Sequence, residues 1–136
     1  MHNSHTTAGI GVERTDFVGI PTRDRERTVK FYGETLGIVG NRRTHENFPE
    51  FETGNVTLAV FHPEEMGMEF KPNANPIALR VRDVEQARKK LEAAGVEFHG
   101  ETYDSGVCHM AFFSDPDGNA LMLHRRYAPY SDGSTP

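Results

Sequence analysis

The sequence predicts an α+β fold in which two tandem βαβββ modules form a partly open barrel around a cavity. The main observation is an internal repeat: an apolar stretch that ends in Arg-Asp occurs at 16–24 and again at 76–83. Each copy precedes a helical pattern that stops at a glycine, and three strand candidates follow each helix. One module leaves a sheet face without a helix, so two modules can enclose a cavity.

The first module begins with the strand in 16–24. The apolar residues Val29, Tyr32 and Leu36 follow at helical spacing, and Gly37 ends the pattern. Asp24 stands where a helix N-cap belongs, because its carboxylate can accept hydrogen bonds from free amides of the first turn. The predicted strands after this helix are 38–44, 48–52 and 56–61.

The second module repeats this order with clearer signals. Its helix carries Val84, Ala87, Leu91 and Ala94 on one face, ends at Gly95, and has Asp83 as the predicted N-cap. The predicted strands are 96–103, 108–113 and 120–124. The segment Ser114-Asp-Pro-Asp-Gly-Asn119 predicts a tight turn between the last two strands.

These elements fit a single domain at 15–127, since 136 residues favour one domain. We expect the modules at 15–62 and 76–127, joined by a linker at 63–75 that is rich in Pro, Gly and Asn. Residues 1–14 are predicted to be a disordered N-terminal arm, and 128–136 a tail.

Composition excludes several classes of function. The net charge of −5 and the scattered Lys and Arg residues do not indicate nucleic-acid binding. No apolar run approaches the roughly 20 residues that span a bilayer, so no membrane partner is expected. A single cysteine, Cys108, rules out a disulfide within the chain, which favours a cytoplasmic location.

The motifs of both modules resemble the glyoxalase I, bleomycin-resistance and extradiol-dioxygenase superfamily, also called vicinal oxygen chelate proteins. In the first module the resemblance rests on the strand with Arg-Asp followed by Phe31-Tyr32-x-x-x-Leu36-Gly37. In the second it rests on Leu91-x-x-x-Gly95-Val96 and on Phe113-x-Asp115-Pro116-Asp117-Gly118-Asn119. It covers 16–127, and it also implies a homodimer whose sheets complete or flank each cavity.

The resemblance implies where a divalent metal would bind and which residues stand there instead. Metal-dependent members use up to four His, Glu or Gln ligands, and the matching positions here are Phe17, Ala59, Pro76 and Met122. Three of these cannot ligate a metal, and the Met thioether does not suit a hard cation. We therefore expect no metal and no cofactor, and a cavity lined for an organic ligand.

Alternation within strands, combined with the resemblance, predicts which side chains line the cavity. His124 shares a strand face with Met122 and could act as an acid, base or hydrogen-bond donor, or simply pack at the sheet end. Glu52, with Glu50 on the same face, is a general-base candidate if that face points inward and a solvated charge if it points outward. The predicted ligand-binding set is Phe17, Gly19, Ala59, Cys108, Met110, Phe112, Met122 and His124.

The function predicted from these features is metal-free binding of an aromatic or apolar small molecule, with bleomycin-resistance proteins as the precedent within the resembled family. The alternative is a lyase, isomerase or dioxygenase that uses non-standard metal ligands or acid-base chemistry of His124 and Glu52. A third possibility is an accessory module that binds no ligand.

Overall fold

The computed structural model describes residues 9–41 and 45–136. They form an α+β fold with two four-stranded mixed sheets, and neither sheet closes into a barrel. The predicted fold class and its partly open arrangement are therefore confirmed. Within the described residues, none of the helices has the length and apolar character needed to cross a membrane.

The first module contains one helix and four strands. Strand β1 runs parallel to β4, and the order across the sheet is β1-β4-β3-β2. Helix α1 continues directly into a π-helical segment, Phe31–Thr35. The bounds are β1 Phe17–Pro21, α1 Arg25–Lys30, β2 Val39–Gly40, β3 Glu50–Glu52 and β4 Thr57–Phe61.

The second module repeats this topology, with β5 parallel to β8 and the order β5-β8-β7-β6. The predicted linker at 63–75 includes one 3-10 turn, Pro63–Met66. The bounds are β5 Ile77–Arg80, α2 Val84–Ala93, β6 Tyr103–Asp104, β7 Cys108–Ser114 and β8 Ala120–Arg126.

Both predicted N-caps are confirmed. The Asp24 carboxylate accepts a hydrogen bond from the Arg27 backbone N–H at 3.1 Å. The Asp83 carboxylate accepts one from Gln86 N–H at 3.0 Å. Each carboxylate thus satisfies an amide of the first helical turn that has no partner within its own helix.

Two predicted strands are wrong in extent. The strand expected at 38–44 is reduced to β2, Val39–Gly40, and its last three residues, 42–44, lie outside the described part. In the segment expected as a strand at 96–103, Phe98 makes one isolated bridge to Phe113, and β6 starts at Tyr103.

Core packing and a side-chain contact explain why the segment 96–103 forms no ladder. The Phe98 ring packs on the Phe113 ring at 5.1 Å between centroids. The Arg88 guanidinium lies over the Phe98 ring and donates to the Gly100 carbonyl at 2.9 Å. That carbonyl therefore bonds to α2 instead of a neighbouring strand.

The two ends of the described chain lie outside the helices and strands of the domain. Of the predicted N-terminal arm, residues 1–8 lie outside the described part, and 9–14 are exposed without secondary structure. The predicted tail contains a turn in which Tyr130 N–H donates to the Ser134 carbonyl at 2.8 Å. Arg126 secures it by donating to the carbonyls of Ala128 and Pro129.

One hydrophobic core joins the two modules. It lies between the helices and one face of each sheet, so residues two apart along each strand point into it. Its buried members are Ile20, Tyr32, Phe51, Leu58, Val60, Val84, Leu91, Ala111, Phe113, Leu121 and Leu123.

The predicted turn 114–119 is also the polar junction between the modules. The buried carboxylate of Asp115 accepts from the Tyr32 hydroxyl at 2.7 Å. Asp117, whose side chain is 1% exposed, accepts from the hydroxyls of Thr22 at 2.6 Å and Thr28 at 2.9 Å. The turn therefore positions both sheets relative to each other, a role that its sequence alone did not reveal.

Candidate ligand-binding site

Each sheet has a second face that no helix covers, here called its open face. On β1 and β4, Ile20, Leu58 and Val60 point into the core, so their neighbours along the strand point to the open face. On β7 and β8 the same parity holds, since Ala111, Phe113, Leu121 and Leu123 are core residues. The predicted set occupies these open faces: Phe17, Gly19, Ala59, Cys108, Met110, Phe112, Met122 and His124.

The open face of the second sheet carries two adjacent rows of side chains. Phe112 is in register with Met122, and Met122 with Ala78 on the other side. In the next row, Met110 is in register with His124. Phe112, Met110, Met122 and His124 are all half-buried, although no helix lies over them. They form a mostly apolar surface with one imidazole in it.

The open face of the first sheet has its smallest residues on adjacent strands. Gly19 is in register with Ala59, so the two smallest side chains of the predicted set lie side by side. The Phe61 ring occupies the space over Gly19, where an added Cβ would lie 3.0 Å from Cε1 of the ring. Phe17 is 60% exposed, which is unusual for a phenylalanine and leaves its ring available for a ligand or a partner.

Glu50 and Glu52 also lie on the open face of the first sheet, since Phe51 between them is buried in the core. Glu50 is half-buried and accepts from the Asn41 amide at 3.0 Å. Glu52 is exposed and accepts from the Thr57 hydroxyl at 2.6 Å. In the single chain, Glu52 therefore lacks the apolar surroundings that its predicted role as a general base requires.

The two histidines of the second sheet differ in their surroundings. His109 points to the opposite face from Met110; its Nε2 lies 3.3 Å from the Asp104 carboxylate, and its ring stacks on Tyr127. His124 has no side-chain hydrogen bond to any described residue. Of these two, His124 is thus the one available to a ligand. Cys108 is a free, half-buried thiol at the end of the same open face.

The positions implied as metal ligands do not fit a metal. Phe17, Ala59 and Met122 lie on β1, β4 and β8, and Pro76 directly precedes β5. Their side chains offer one thioether and no nitrogen or oxygen donor, which does not suit an oxygen-chelating cation. Across residues 9–41 and 45–136, no three His, Cys, Asp or Glu side chains come close enough to hold a metal.

Two cavities of the single chain lie elsewhere, and no residue of the predicted set lines either of them. One, of about 390 Å³, is a cleft between the helical sides of the modules, lined by Phe31, Thr35, Val96 and His99 among others. The other, of about 490 Å³, lies among Arg80, Val81, Arg82 and Arg125. The predicted residues therefore lie on the open sheet faces, outside both of these cavities.

Sequence reasoning missed three residues of the open faces. Phe61 covers Gly19, and Tyr103, which is 58% exposed, is in register with Met110. Arg80 is in register with His124. The alternation that placed Met122 and His124 could have found Arg80. Ile77 and Leu79 on the same strand are apolar and face the core, so Arg80, one residue after Leu79, points to the open face.

Comparison with known proteins gives the family. The model of the Glyoxalase/Bleomycin resistance protein/Dioxygenase superfamily matches residues 14–123, which is most of the chain. The chain belongs to this superfamily. It is also 30% identical over 107 residues to an uncharacterized protein of Mycolicibacterium smegmatis, covering 79% of this chain and 89% of that protein.

Several solved structures share the fold of this chain. A member from Sphaerobacter thermophilus is 27% identical, with a TM-score of 0.70 and coverage of 83% of this chain and 97% of that one. At 21% identity, TnmS3, an antibiotic binding protein from Streptomyces sp. CB03234, has a TM-score of 0.71 and coverage of 86% and 98%. Lactoylglutathione lyase from Agrobacterium tumefaciens is 14% identical, with a TM-score of 0.69 and coverage of 83% and 93%. Proteins of this fold thus include an antibiotic binding protein and a lactoylglutathione lyase.

Proposed function

We propose that this member of the superfamily binds an aromatic or otherwise apolar small molecule without a metal. The observation that carries the proposal is the apolar surface on the open face of the second sheet, where Phe112, Met122 and Met110 adjoin His124. Methionine side chains adapt to irregular ligands, and one polar group among apolar ones is the usual composition of a ligand site. The antibiotic-binding function of TnmS3, which has the same fold, is consistent with this proposal.

A second copy of the chain completes the site in this proposal. The open faces expose large side chains such as Phe17 and Tyr103, at 60% and 58%, and a two-fold related copy would remove them from water. Sedimentation equilibrium at micromolar concentrations tests the assembly, with twice the chain mass of 15.3 kDa expected. A monomer mass across that range would contradict the homodimer.

The free thiol of Cys108 fits a cytoplasmic location, which fractionation of source cells would test.

A fluorescence titration with N-phenyl-1-naphthylamine, an uncharged aromatic dye, tests the binding function. We expect saturable binding by the wild type, weakened several-fold in Met122→Gln, which keeps the side-chain length but adds a polar amide at the open face. Val29→Ser is the matched control, since Val29 is 36% exposed on the helical side. Absence of saturable binding, or equal weakening in the control, would contradict the proposal.

A further inference from the structure

Three arginines converge at one end of the second sheet. Strands β5 and β8 run parallel, so their carboxyl ends lie at the same end of the sheet. Arg80 ends β5, Arg82 follows it, and Arg125 is the penultimate residue of β8. With Val81 they line the cavity of about 490 Å³. These three residues are called the arginine cluster below.

Arg80 and Arg82 have no acidic partner. Among the described residues, no carboxylate lies within 4.0 Å of either guanidinium group. Arg125 differs, because its Nη2 donates to an oxygen of Pro136 at 3.3 Å.

Other described arginines behave differently. Arg126 lies over the Tyr130 ring, at 4.7 Å from its centroid, and donates to two carbonyls. Five more are paired with a carboxylate: Arg14 with Asp16, Arg23 with Glu64, Arg25 with Glu65, Arg27 with Asp117, and Arg88 with Glu92. Arg80 and Arg82 thus differ from the other described arginines, since no ion pair, hydrogen bond or ring contact joins their guanidinium groups to a described residue.

Arg80 and Arg82, two guanidinium groups without an acidic partner at one cavity, create a positive potential that an anion would neutralise. The chain as a whole carries a net charge of −5, so this potential is opposite to the overall charge. Guanidinium groups bind the paired oxygens of carboxylate, sulfonate and phosphate groups through two parallel hydrogen bonds. The chemistry of the cavity therefore favours an oxyanion.

Arg80 connects the arginine cluster to the apolar surface. It is in register with His124, and Ala78, two residues earlier on the same face, is in register with Met122. Neighbouring strands are about 4.8 Å apart, so an aromatic body over Met122 and Phe112 lies within reach of the Arg80 guanidinium.

We propose that the ligand carries an acidic group, and that Arg80, with Arg82 at the same cavity, binds this group while the aromatic body lies on Met122 and Phe112. This inference rests on the proposed binding function and specifies its ligand class as an aromatic acid. His124, beside Arg80, provides a further donor or acceptor at the junction of the two parts.

Two dyes with one skeleton test the inference. 1-Anilinonaphthalene-8-sulfonate differs from N-phenyl-1-naphthylamine by its sulfonate alone. The wild type is expected to bind the sulfonate more tightly. Arg80→Gln should weaken sulfonate binding about tenfold, the size of one lost hydrogen bond to a charged group, and leave the uncharged dye unchanged. Lys89→Gln is the matched control, because it removes one positive charge from an exposed position on α2.

The outcomes separate the two proposals. If neither dye binds, the binding function itself fails. If the uncharged dye binds but Arg80→Gln leaves the sulfonate affinity within twofold of wild type, the binding function stands and the acidic-ligand inference is overturned.

Competition distinguishes the source of the anion: 2-naphthoate should displace the sulfonate dye at concentrations where inorganic phosphate does not. Equal displacement by both would overturn the aromatic-acid assignment in favour of a free oxyanion.

Discussion

The Tyr32 hydroxyl of the first module donates a 2.7 Å hydrogen bond to the Asp115 carboxylate of the second. The two residues are 83 positions apart in the chain, and both are buried. Asp115 also accepts from the Asn119 amide at 2.8 Å, and Asn119 in turn donates to the Pro21 carbonyl. Burial, together with the negative charge of Asp115, raises the pKa of Tyr32 well above its ordinary value, so the phenol keeps the proton that makes this bond.

Removing this hydroxyl should destabilise the protein. We expect Tyr32→Phe to lower the free energy of unfolding by about 1–3 kcal/mol, because a buried carboxylate loses a donor and gains no water. Urea denaturation of both forms measures the difference. Tyr103→Phe, a change at a tyrosine that is 58% exposed, should shift the value by less than about 0.5 kcal/mol. Equal effects in the two variants would refute the role of this bond.

Asp117 makes the stability of the fold depend on acid pH. Burial raises the pKa of its carboxyl, but bonds from Thr22, the Arg23 amide and Thr28, together with the nearby Arg27 charge, outweigh burial and hold it below 3.8. The folded pKa is thus below the unfolded one. Its contribution to stability is therefore complete above the unfolded pKa and is lost as the pH falls through the folded value.

The matching experiment compares urea unfolding of the wild type and Asp117→Asn from about pH 6 to about pH 2.5. The wild type should lose stability steadily in the acid range. The variant should be less stable near neutrality and show a flatter acid dependence, since its amide does not titrate. An unchanged slope in the variant would mean that other carboxylates cause the acid sensitivity.

The sequence predicts the parts of the fold that depend on local periodicity. The repeat, the caps at Asp24 and Asp83 and the common face of Met122 and His124 all follow from spacing along one element. Whether that common face binds a ligand remains a prediction.

Features that depend on packing between distant segments could not be predicted from the sequence. Phe98 lies in the segment 96–103 that was predicted to be a strand, yet it packs on Phe113 and makes a single bridge. The arginine cluster forms because β5 and β8 are parallel neighbours, although Arg82 and Arg125 are far apart in the chain. The Tyr32–Asp115 bond likewise depends on how the modules pack together.

Metal content tests the metal-free part of the proposal. Protein prepared without a polyhistidine tag and dialysed should contain far less than one transition metal per chain, because Phe17, Ala59 and Met122 offer no hard donor. Elemental analysis measures this, and dye binding should persist after treatment with a chelator. A value near one metal per chain would contradict the proposal, and His124 and Glu50 would then be the first ligands to examine.

Substitution of His124 distinguishes a binding role from a catalytic one. His124→Ala should weaken N-phenyl-1-naphthylamine binding by about 1 kcal/mol, the contribution of one hydrogen bond. For an enzyme, the same change would cut turnover roughly 100-fold with little change in binding. His99→Ala is the control, since His99 lies in the cleft on the helical side, where its Nε2 is 3.0 Å from the Ser114 hydroxyl.

The methionine methyl groups test the central claim most directly, because two methionines lie on the proposed binding face and two lie away from it. Met110 and Met122 lie on the open face of the second sheet, whereas Met66 and Met68, at 46% and 50% exposure, lie in the segment between the modules. In protein labelled with ¹³C at the methionine methyls, a titration with N-phenyl-1-naphthylamine should shift the signals of Met110 and Met122 and leave those of Met66 and Met68 in place. Unchanged Met110 and Met122 signals at saturating dye would contradict the proposal that this face binds the ligand.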